Sequence, residues 1–318
     1  MSQAAERALS CAGPCDGFAA GVFEGLSRPA KSLPCRFFYD SIGSALFEEI
    51  TRQPEYYPTR TEIAILDAHV RQMVEGELGG AVLVEFGSGS SIKTEILIRH
   101  MPRLRAYAPI DISESALTEA RKRLASRFRE LDVQPLLGDF TRSVALPPEF
   151  EQRPKLGFFP GSTIGNFTPT EAAHLLRKMR LTLSPHGRLL IGVDLKKDVG
   201  RLLRAYNDSK GVTAAFNLNL LARINRELDG TFDITAFRHE AIYDPLKGRI
   251  EMHLVSVRNQ TVKVADAWFH FRVGEAIHTE NAYKYTVEEF REAARSAGWT
   301  PQRVWLDDSR WFSVHELA

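Results

Sequence analysis

The 318-residue sequence has few cysteines, namely Cys11, Cys15 and Cys35. A low, odd number of cysteines is typical of a protein from a reducing compartment and does not fit a disulfide-stapled fold. A structural zinc site needs more ligands than three thiols supply, and no histidine lies near them at ligand spacing. We therefore expect a cytoplasmic location, no disulfide framework and no metal.

The sequence also lacks long apolar runs and an excess of one charge. No stretch approaches the roughly 20 apolar residues of a membrane-spanning helix, and the N-terminal "MSQAAERALSCAGPCDG" has no apolar core of a secretory signal. There are 41 basic and 40 acidic residues, which gives a net charge of +1 without a basic block. Nucleic-acid-binding proteins usually concentrate basic residues on one face. We therefore expect neither membrane nor nucleic acid as a partner.

Strand-like and helix-like segments alternate over much of the chain. Strands are indicated in turn by "AVLVEFG", "LRAYAPIDIS", "VQPLLGDF", "PKLGFF" and "RLLIGVDL", and helical patterns lie between most of them. Upstream, a helix, an aromatic turn "PEYYP" and a second helix from about residue 61 are indicated, with breaks at Pro54 and Pro58. Alternation of this kind predicts a mostly parallel α/β sheet with crossover helices.

The pattern changes after Asp194. Helices are predicted at 199–209 and 213–228, and they precede three runs that alternate like antiparallel strands: "TFDITAFRHEAIYD", "RIEMHLVSVRN" and "QTVKVADAWFHFRV". The α/β pattern returns near residue 286. We predict one domain of residues 61–196 plus 286–318, interrupted by an α+β domain of 30–60 plus 197–285. Residues 1–29, rich in small residues, are expected to be loosely structured.

A glycine-containing loop follows the first predicted strand in "VLVEFGSGSSIKTEIL". Gly87 and Gly89 would let the backbone approach a ligand closely at the carboxyl end of that strand. Asp111 ends the second strand about 25 residues later, where an acid accepts the hydroxyls of a ribose. Asp139 ends the third strand and is placed to bind an adenine amine, with Phe140 against the ring. These positions predict a nucleoside-containing cofactor.

Two cofactor classes fit this loop. A dinucleotide favours G-x-G-x-x-G, but the third glycine is absent here. Glu85 precedes the loop, and its carboxylate suits a cationic ligand such as S-adenosylmethionine better than a pyrophosphate. The closing segments "TVEEFREAARSAGW", "QRVWLDD" and "RWFSVHEL" resemble the final helix and antiparallel hairpin of class I methyltransferases. S-adenosylmethionine is therefore favoured over a dinucleotide and over a turn that binds nothing.

The loop after the fourth predicted strand bears on the methyl acceptor. Methyltransferases that act on exocyclic base amines carry (D/N)-P-P-(Y/F) at this place, whereas this chain has Asn166 and Phe167 without the prolines. A nucleobase acceptor is therefore disfavoured, in agreement with the nearly neutral net charge.

Longer motifs resemble the histidine Nα-methyltransferase family of ergothioneine biosynthesis. They are "FFYDSIGSALFEEITRQPEYYPTRTE", "EFGSGSSIKT", "FFPGSTIGNF", "AYND" and "IHTENAYKY". The likeness extends from about Arg36 to the C-terminus. It implies a Rossmann-like class I methyltransferase sheet with an inserted α+β substrate domain. It also implies conversion of L-histidine to its Nα-trimethyl betaine with three molecules of S-adenosylmethionine.

The resemblance assigns the cofactor contacts residue by residue. The corresponding positions are Gly87, Lys93, Asp111, Asp139 and Phe140.

The resemblance also assigns groups that hold the acceptor's α-carbon substituents. Tyr39 corresponds to a tyrosine close to the reacting amine. Asn166 and Tyr206 correspond to the clamp on the carboxylate and amine. Taken without the resemblance, the tyrosines are equally typical of core aromatics, and Asn166 is typical of a turn.

The side chain of the acceptor is assigned to a second group of residues. Tyr56 and Glu280 correspond to the residues that bind the imidazole, and Met252 lines the pocket. Glu280 lies in a polar segment that looks irregular. Ala282 departs from the family, which has a serine there that contacts the substrate. Loss of one neutral hydrogen bond weakens binding by about 0.5–1.5 kcal/mol, so an enzyme for another amino acid or amine remains an alternative.

Two further alternatives follow from the residues. A protein that binds S-adenosylmethionine without catalysis is possible in principle, although the acceptor motifs disfavour it. His239, His253 and His278 lie on predicted strands or their edges, where ordinary polar positions are commoner than metal ligands. The sequence determines neither the oligomeric state nor the number of methyl groups added.

Overall fold

The computed structural model describes residues 17–76, 79–89, 92–142, 144–184 and 186–318. Cys11 and Cys15 lie outside the described residues. The chain forms two compact units. The first unit comprises the described residues up to Tyr56 together with Asp198–Ala282, and the second comprises Tyr57–Lys197 and Tyr283–Ala318. Within the described ranges, no helix has the length and hydropathy needed to cross a membrane.

Helices and strands are numbered in chain order. The α-helices of the described residues are α1 (Phe18–Ser27), α2 (Ser41–Thr51), α3 (Tyr57–Met73), α4 (Ile92–Arg99), α5 (Glu114–Arg127), α6 (Pro169–Leu183), α7 (Val199–Tyr206), α8 (Val212–Glu227) and α9 (Val287–Ser296). The strands are β1 (Val82–Phe86), β2 (Ala106–Asp111), β3 (Asp132–Val133), β4 (Leu136–Leu137), β5 (Lys155–Phe159), β6 (Arg188–Asp194), β7 (Phe237–Asp244), β8 (Arg249–Ser256), β9 (Gln260–Val264), β10 (Ala267–Phe271), β11 (Ala276–Tyr283), β12 (Pro301–Leu306) and β13 (Phe312–Leu317).

The second unit is built on one mostly parallel sheet. Its strand order is β12-β13-β6-β5-β1-β2-β3, and β4 also pairs with β2. The pairs β6–β5, β5–β1, β1–β2 and β2–β3 are parallel, whereas β13 is antiparallel to β6 and to β12. A parallel sheet that ends in an antiparallel hairpin is the predicted Rossmann-like α/β arrangement, so the predicted fold class is confirmed.

Helices cover both faces of this sheet. Successive side chains of a strand point to opposite faces, so each strand contributes apolar residues to both layers. Val82, Val84 and Phe86 of β1 belong to the apolar layer that includes residues of α6 and α9. Leu83 belongs to the other layer, which includes residues of α3, α4 and α5. Every residue of β1 is buried, as expected for the central strand of a parallel sheet.

The first unit combines helices with small sheets. Strands β11, β8 and β7 form a three-stranded sheet in that order, and β7 is antiparallel to β8. Helix α8 packs against α2, β7 and β8. The run "QTVKVADAWFHFRV" was predicted to alternate like antiparallel strands, and this is confirmed. It forms an antiparallel hairpin of β9 and β10, with Ala265 at a φ of +46° in the turn.

The prediction of loose structure up to residue 29 is wrong for residues 18–27, which form α1. Phe18, Val22 and Leu26 are buried on one face of this helix. Their spacing of four residues is the signal of an amphipathic helix, and it was hidden by the glycines around it.

The predicted start of the second helix near residue 61 is also wrong. Helix α3 begins at Tyr57 and therefore contains Pro58 in its first turn. Proline is tolerated there because the first amides of a helix have no intrahelical acceptor. Pro58 accordingly marks a helix start and not a break.

Candidate active site

The predicted cofactor residues lie at the carboxyl ends of the parallel strands of the second unit. Strand β1 has β2 on one side and β5 on the other, so the strand order reverses at β1. Such a switch point is where open α/β sheets bind their ligands. Gly87 follows β1, Asp111 ends β2, Asp139 follows β4 and Asn166 follows β5. These four residues therefore lie at the same edge of the sheet.

The glycine loop has a backbone that only glycine adopts readily. Gly87 has a φ of +76° and Gly89 a φ of +43°. A Cβ atom at Gly87 would lie 3.2 Å from Cε1 of Phe140, which is tighter than ordinary van der Waals contact. Gly87 thus combines a left-handed backbone with close approach to the ring of Phe140.

The Asp111 carboxylate joins the glycine loop to the end of β2. It accepts the amide N–H of Gly89 at 3.2 Å and that of Ser113 at 2.9 Å. Burial raises the pKa of Asp111 above its ordinary value. Asp111 lies at the end of β2, at the sheet edge where open α/β sheets bind their ligands. The geometry fits the predicted ribose contact.

Asp139 and Phe140 are held at the next strand end. One Asp139 oxygen accepts both the amide N–H of Thr141, at 2.8 Å, and its hydroxyl, at 2.5 Å. The Phe140 ring packs edge-on against Phe159 with 5.4 Å between centroids. These contacts fix one carboxylate oxygen and one ring edge, which is compatible with the predicted adenine contact.

Lys93 is bound to a residue that the sequence analysis left without a role. Its ammonium lies 2.5 Å from Glu62, which is fully buried. The two Glu62 oxygens also accept the amide N–H of Gly161 at 2.9 and 3.1 Å. Glu62 therefore ties α4 to the loop after β5. The sequence contained a signal that could have identified Glu62, since this residue ends the motif "PEYYPTRTE". A cofactor contact for Lys93 stays a prediction.

The role given to Glu85 in choosing the cofactor is wrong. Glu85 is buried in β1, where it accepts the hydroxyl of Thr94 at 2.6 Å and is hydrogen-bonded by Tyr107. Tyr107 belongs to the layer of Leu83, on the α3–α5 side of the sheet. Burial raises the pKa of Glu85 to about 8. The side chain is therefore mostly uncharged at neutral pH and is no counter-charge for a cationic cofactor.

The first unit brings the three tyrosines of the predicted acceptor site into one aromatic cluster. The ring of Tyr39 lies 5.8 Å from Phe47 and 5.9 Å from Phe216, measured between centroids. Phe47 lies 6.3 Å from Tyr56, which lies 6.4 Å from Tyr206. Faces and edges of these rings alternate, which is the favoured geometry of aromatic pairs. Clustered aromatic rings are suited to a cationic amine.

The remaining acceptor residues of the first unit lie on β8 and β11. Met252 is buried in β8, and the hydroxyl of Thr279 in β11 lies 3.0 Å from its carbonyl oxygen. Glu280 and Ala282 are both in β11, so the expectation that Glu280 lies in an irregular segment is wrong. Ala282 is buried, and its methyl group has no hydrogen-bonding atom.

Cys35 lies close enough to Glu280 to be influenced by its charge. Burial, and then the Glu280 carboxylate, raise the pKa of the Cys35 thiol to about 12. A thiol with this pKa is protonated at physiological pH and is a poor nucleophile. The raised pKa of Cys35 therefore gives no support for a catalytic thiolate.

Asn166, by contrast, belongs to the second unit. It ends a 3₁₀ turn (Thr163–Asn166) after β5. The preceding Gly165 packs against the chain at Tyr283, because a Cβ there would lie 2.8 Å from the Tyr283 carbonyl oxygen. This contact holds the turn that carries Asn166. Its role on the acceptor stays a prediction.

The three histidines considered as metal ligands have other partners. His239 is hydrogen-bonded to Asn217, His253 to Glu251 and His278 to Asn281. Among the residues described, no group of three or more His, Cys, Asp or Glu side chains is arranged to hold a metal ion.

Comparison with known proteins identifies the family. Residues 18–318 match the family described as "Histidine-specific methyltransferase, SAM-dependent". The histidine N-alpha-methyltransferase of Mycolicibacterium smegmatis is 41% identical over 298 residues, which cover 92% of each chain. That of Mycobacterium tuberculosis is 40% identical over 302 residues, 93% of each chain.

A solved structure supports the fold. The crystal structure of an S-adenosylmethionine-dependent methyltransferase from Clostridium acetobutylicum superposes with a TM-score of 0.50 at 10% identity, over 85% of this chain and 96% of the other. The predicted family, fold and cofactor are confirmed by these comparisons. The chain belongs to the histidine-specific, S-adenosylmethionine-dependent methyltransferase family and is an N-methyltransferase with S-adenosylmethionine as its methyl donor.

Proposed function

We propose that this enzyme methylates the α-amino group of free L-histidine to give Nα,Nα,Nα-trimethylhistidine (hercynine), as in ergothioneine biosynthesis. The observation that carries the proposal is the match to the histidine-specific family over residues 18–318, which includes both units. The partner is thus a small amino acid. The low cysteine content supports a cytoplasmic location for the reaction.

S-adenosylmethionine, when bound, supplies a methyl group that is already activated by the sulfonium. The residues that would hold it are those at the sheet edge. Asp111 would accept the ribose hydroxyls, Asp139 the adenine amine, and Phe140 would pack on the adenine. Gly87 would allow the backbone to approach the cofactor closely. A side chain at this position would contact the Phe140 ring.

The acceptor amine must be uncharged to attack a methyl group. A positive charge nearby and removal from water both lower the pKa of an amine. We assign Tyr39 to the amine, where its hydroxyl would accept a hydrogen bond and guide the proton to water. The aromatic faces of the cluster would stabilise the quaternary ammonium that forms with the third methyl group.

The other acceptor residues would orient the amino acid. Asn166 and Tyr206 would bind the carboxylate and amine shared by all amino acids. Tyr56 and Glu280 would bind the imidazole, and Met252 would line the pocket around it. Orientation is the main contribution of the protein here, because an aligned displacement needs little further activation.

The test is incubation with S-adenosylmethionine and each of the twenty amino acids, with products identified by mass. We expect a histidine product with three added methyl groups, because the α-nitrogen is then quaternary and accepts no further methyl group. Wild-type enzyme that ignores histidine and methylates another amino acid would contradict the histidine assignment. No turnover with any amino acid would contradict the proposed reaction altogether.

A second acceptor class is favoured by one observation, namely the buried methyl group of Ala282 in place of a serine. The variant Ala282→Ser separates the two classes. For histidine, we expect tighter binding by about 0.5–1.5 kcal/mol, the value of one neutral hydrogen bond. For an acceptor that occupies the space left by the alanine, the same variant would lower kcat/KM.

The variant Glu280→Ala tests how the side chain is recognised. We expect a sharp loss of kcat/KM for histidine and a smaller loss for phenylalanine, tyrosine and tryptophan, because a buried polar group discriminates strongly when its partner is missing. Glu49→Ala, an exposed glutamate on α2 of the same unit, is the control and should leave this preference unchanged.

A further inference from the structure

An asparagine that the reaction does not use directly lies at the centre of the first unit. Asn217 is in the middle of α8 and is fully buried. Its amide nitrogen donates to Nδ1 of His239 at 2.8 Å and to the carbonyl oxygen of His253 at 3.1 Å. Its amide oxygen accepts the hydroxyl of Thr279 at 2.8 Å. One side chain thus binds β7, β8 and β11 together.

The first arm of this network is His239. Its Nε2 lies 2.9 Å from the carbonyl oxygen of Tyr206, so Nε2 carries the hydrogen and Nδ1 accepts from Asn217. The Asn217 amide therefore selects the tautomer that can donate to Tyr206. Burial lowers the pKa of His239 below its ordinary value and keeps the ring neutral.

The second arm is Thr279. Its hydroxyl lies 2.8 Å from the Asn217 oxygen and 3.0 Å from the carbonyl oxygen of Met252. Thr279 is also the residue that precedes Glu280 in β11. The hydroxyl has one hydrogen, which these two oxygens share, and it thereby links Asn217 to the backbone of two residues that the proposed function assigns to the histidine side chain.

Tyr206 is thus one hydrogen bond from His239, and Met252 is one hydrogen bond from Thr279. Glu280 is the next residue after Thr279. We propose that Asn217 is a positioning residue for the acceptor site, acting on Tyr206 through His239 and on the pair Met252 and Glu280 through Thr279. This inference rests on the proposed function, because it concerns the same site. Misplacing such groups by about 1 Å is enough to lower a rate 100-fold.

A buried asparagine can also serve stability alone, and α8 contains a matched control. Asn225 lies eight residues further along the same helix, and its amide binds the backbone N–H and carbonyl of Phe232 at 2.9 and 2.8 Å. These bonds hold the segment after α8 and reach none of the assigned acceptor residues. Asn225→Asp therefore reports the general effect of the substitution.

The variant Asn217→Asp gives a signature that stability alone does not produce. The new carboxylate has no hydrogen to donate, so it faces the lone pair of Nδ1 on a neutral His239. Protonation of His239 supplies that hydrogen and restores this bond, whereas the bond to the His253 carbonyl oxygen stays lost at every pH. The other charged or titratable groups that act on His239 are Asp208 after α7, Glu240 on β7 and His253 on β8, and the variant leaves them in place.

The experiment measures kcat/KM for histidine from pH 6 to pH 9 in wild type and Asn217→Asp, and takes the ratio of variant to wild type. We expect the ratio to be roughly 0.01–0.1 at high pH, the effect of a misplaced group. The ratio should rise as the pH falls. The new carboxylate raises the pKa of His239, so the ring becomes protonated within the measured range and the lost bond forms again. Affinity for S-adenosylmethionine, measured by calorimetry, should change less than about twofold, since its assigned contacts lie in the second unit.

The two arms are tested by conservative pairs. His239→Gln keeps an N–H donor for the Tyr206 carbonyl and should retain more activity than His239→Ala. Thr279→Ser keeps the hydroxyl and should retain more activity than Thr279→Val, which has the same shape without it. Circular dichroism at each pH checks that the variants are folded.

The inference is overturned if Asn217→Asp has the wild-type kcat/KM at every pH, or if it loses the same pH-independent factor as Asn225→Asp. The assay uses whichever amino acid the wild-type enzyme methylates best. Failure of histidine as that substrate therefore contradicts the proposed function, while the comparison of the variants still decides the role of Asn217.

Discussion

Asp194 and Lys284 form a buried ion pair of 2.8 Å, in which the side chains are 1% and 2% exposed. Lys197 binds the same carboxylate at 2.5 Å, and the hydroxyl of Tyr57 donates to it at 2.8–2.9 Å. The chain passes from one unit to the other after Tyr56, after Lys197 and before Tyr283. The Asp194 carboxylate at the end of β6 therefore binds Lys197 at one of these passages, and Tyr57 and Lys284 next to the other two.

The Asp194 cluster should be a large contributor to the stability of the second unit. Burial opposes ionisation of Asp194, but the ammonium groups of Lys284 and Lys197 overcome it and lower its pKa. Asp194→Ala would remove the carboxylate that both buried ammonium groups bind, and we expect a loss of about 3–5 kcal/mol in the free energy of unfolding. Urea denaturation measures it. Glu24→Ala, which breaks an exposed pair with Arg28, should cost less than about 1 kcal/mol; equal losses would refute the assignment.

Asp111→Ala should weaken the binding of S-adenosylmethionine, because two ribose hydroxyls lose their acceptor. We expect a loss of about 1.5–3 kcal/mol, the range of hydrogen bonds to a charged group. Titration calorimetry with S-adenosylmethionine gives the affinity. Asp132→Ala, an exposed aspartate on the adjacent β3, is the control and should bind normally. Unchanged affinity in Asp111→Ala would remove this residue from the cofactor site.

Gly87→Ala should weaken cofactor binding, an effect that backbone strain at this position does not account for by itself. An alanine with φ near +76° costs about 1–2 kcal/mol, and its methyl group would also displace the ring of Phe140. Gly76→Ala is a matched control, since Gly76 has a φ of +75° and no described atom within 4 Å of the new methyl group. We expect similar losses of stability, with weaker cofactor binding in Gly87→Ala alone. Identical calorimetric affinities in the two variants would contradict this account.

Glu85 should make stability depend on pH in the direction opposite to most carboxylates. Its pKa is raised by burial from 4.5 to about 8, so the folded state binds a proton that the unfolded state releases. The resulting stability is complete below about pH 4.5 and is lost as the pH rises toward and through 8. Glu85→Gln, which resembles the protonated acid, should therefore be less sensitive to pH between 6 and 9.

Urea unfolding of wild type and Glu85→Gln across this range tests the sign. The difference in stability should move in favour of the variant as the pH rises. The exposed Glu130→Gln, in the same unit, provides the control. A difference between Glu85→Gln and wild type that stays constant from pH 6 to pH 9 would show that Glu85 is ionised in the folded protein.

Much of the function was accessible from the sequence because its signals are local. The strand, glycine loop and helix around Gly87 occupy one short segment, and each strand-ending aspartate is marked by the apolar run before it. Long motifs that contain several aromatic and charged residues, such as "PEYYPTRTE", were sufficient to indicate the family. The β-strand that contains Glu280 and the helix start at Tyr57 were missed because their patterns are short and depend on neighbouring elements.

What the sequence determined by itself was the alternation of elements, the class of cofactor and the family. Only the tertiary structure decided which buried polar groups meet. Glu85 was expected to be the counter-charge of a cationic cofactor. It is instead a largely neutral core residue, because its strand directs it toward Tyr107. Asn217 binds His239, His253 and Thr279, and Asp194 binds Tyr57 and Lys284, all of which lie tens of residues away. Sequence patterns report periodicity along one chain segment, whereas the partner of a buried amide or carboxylate depends on strand register and helix packing, which are settled only when the whole fold forms.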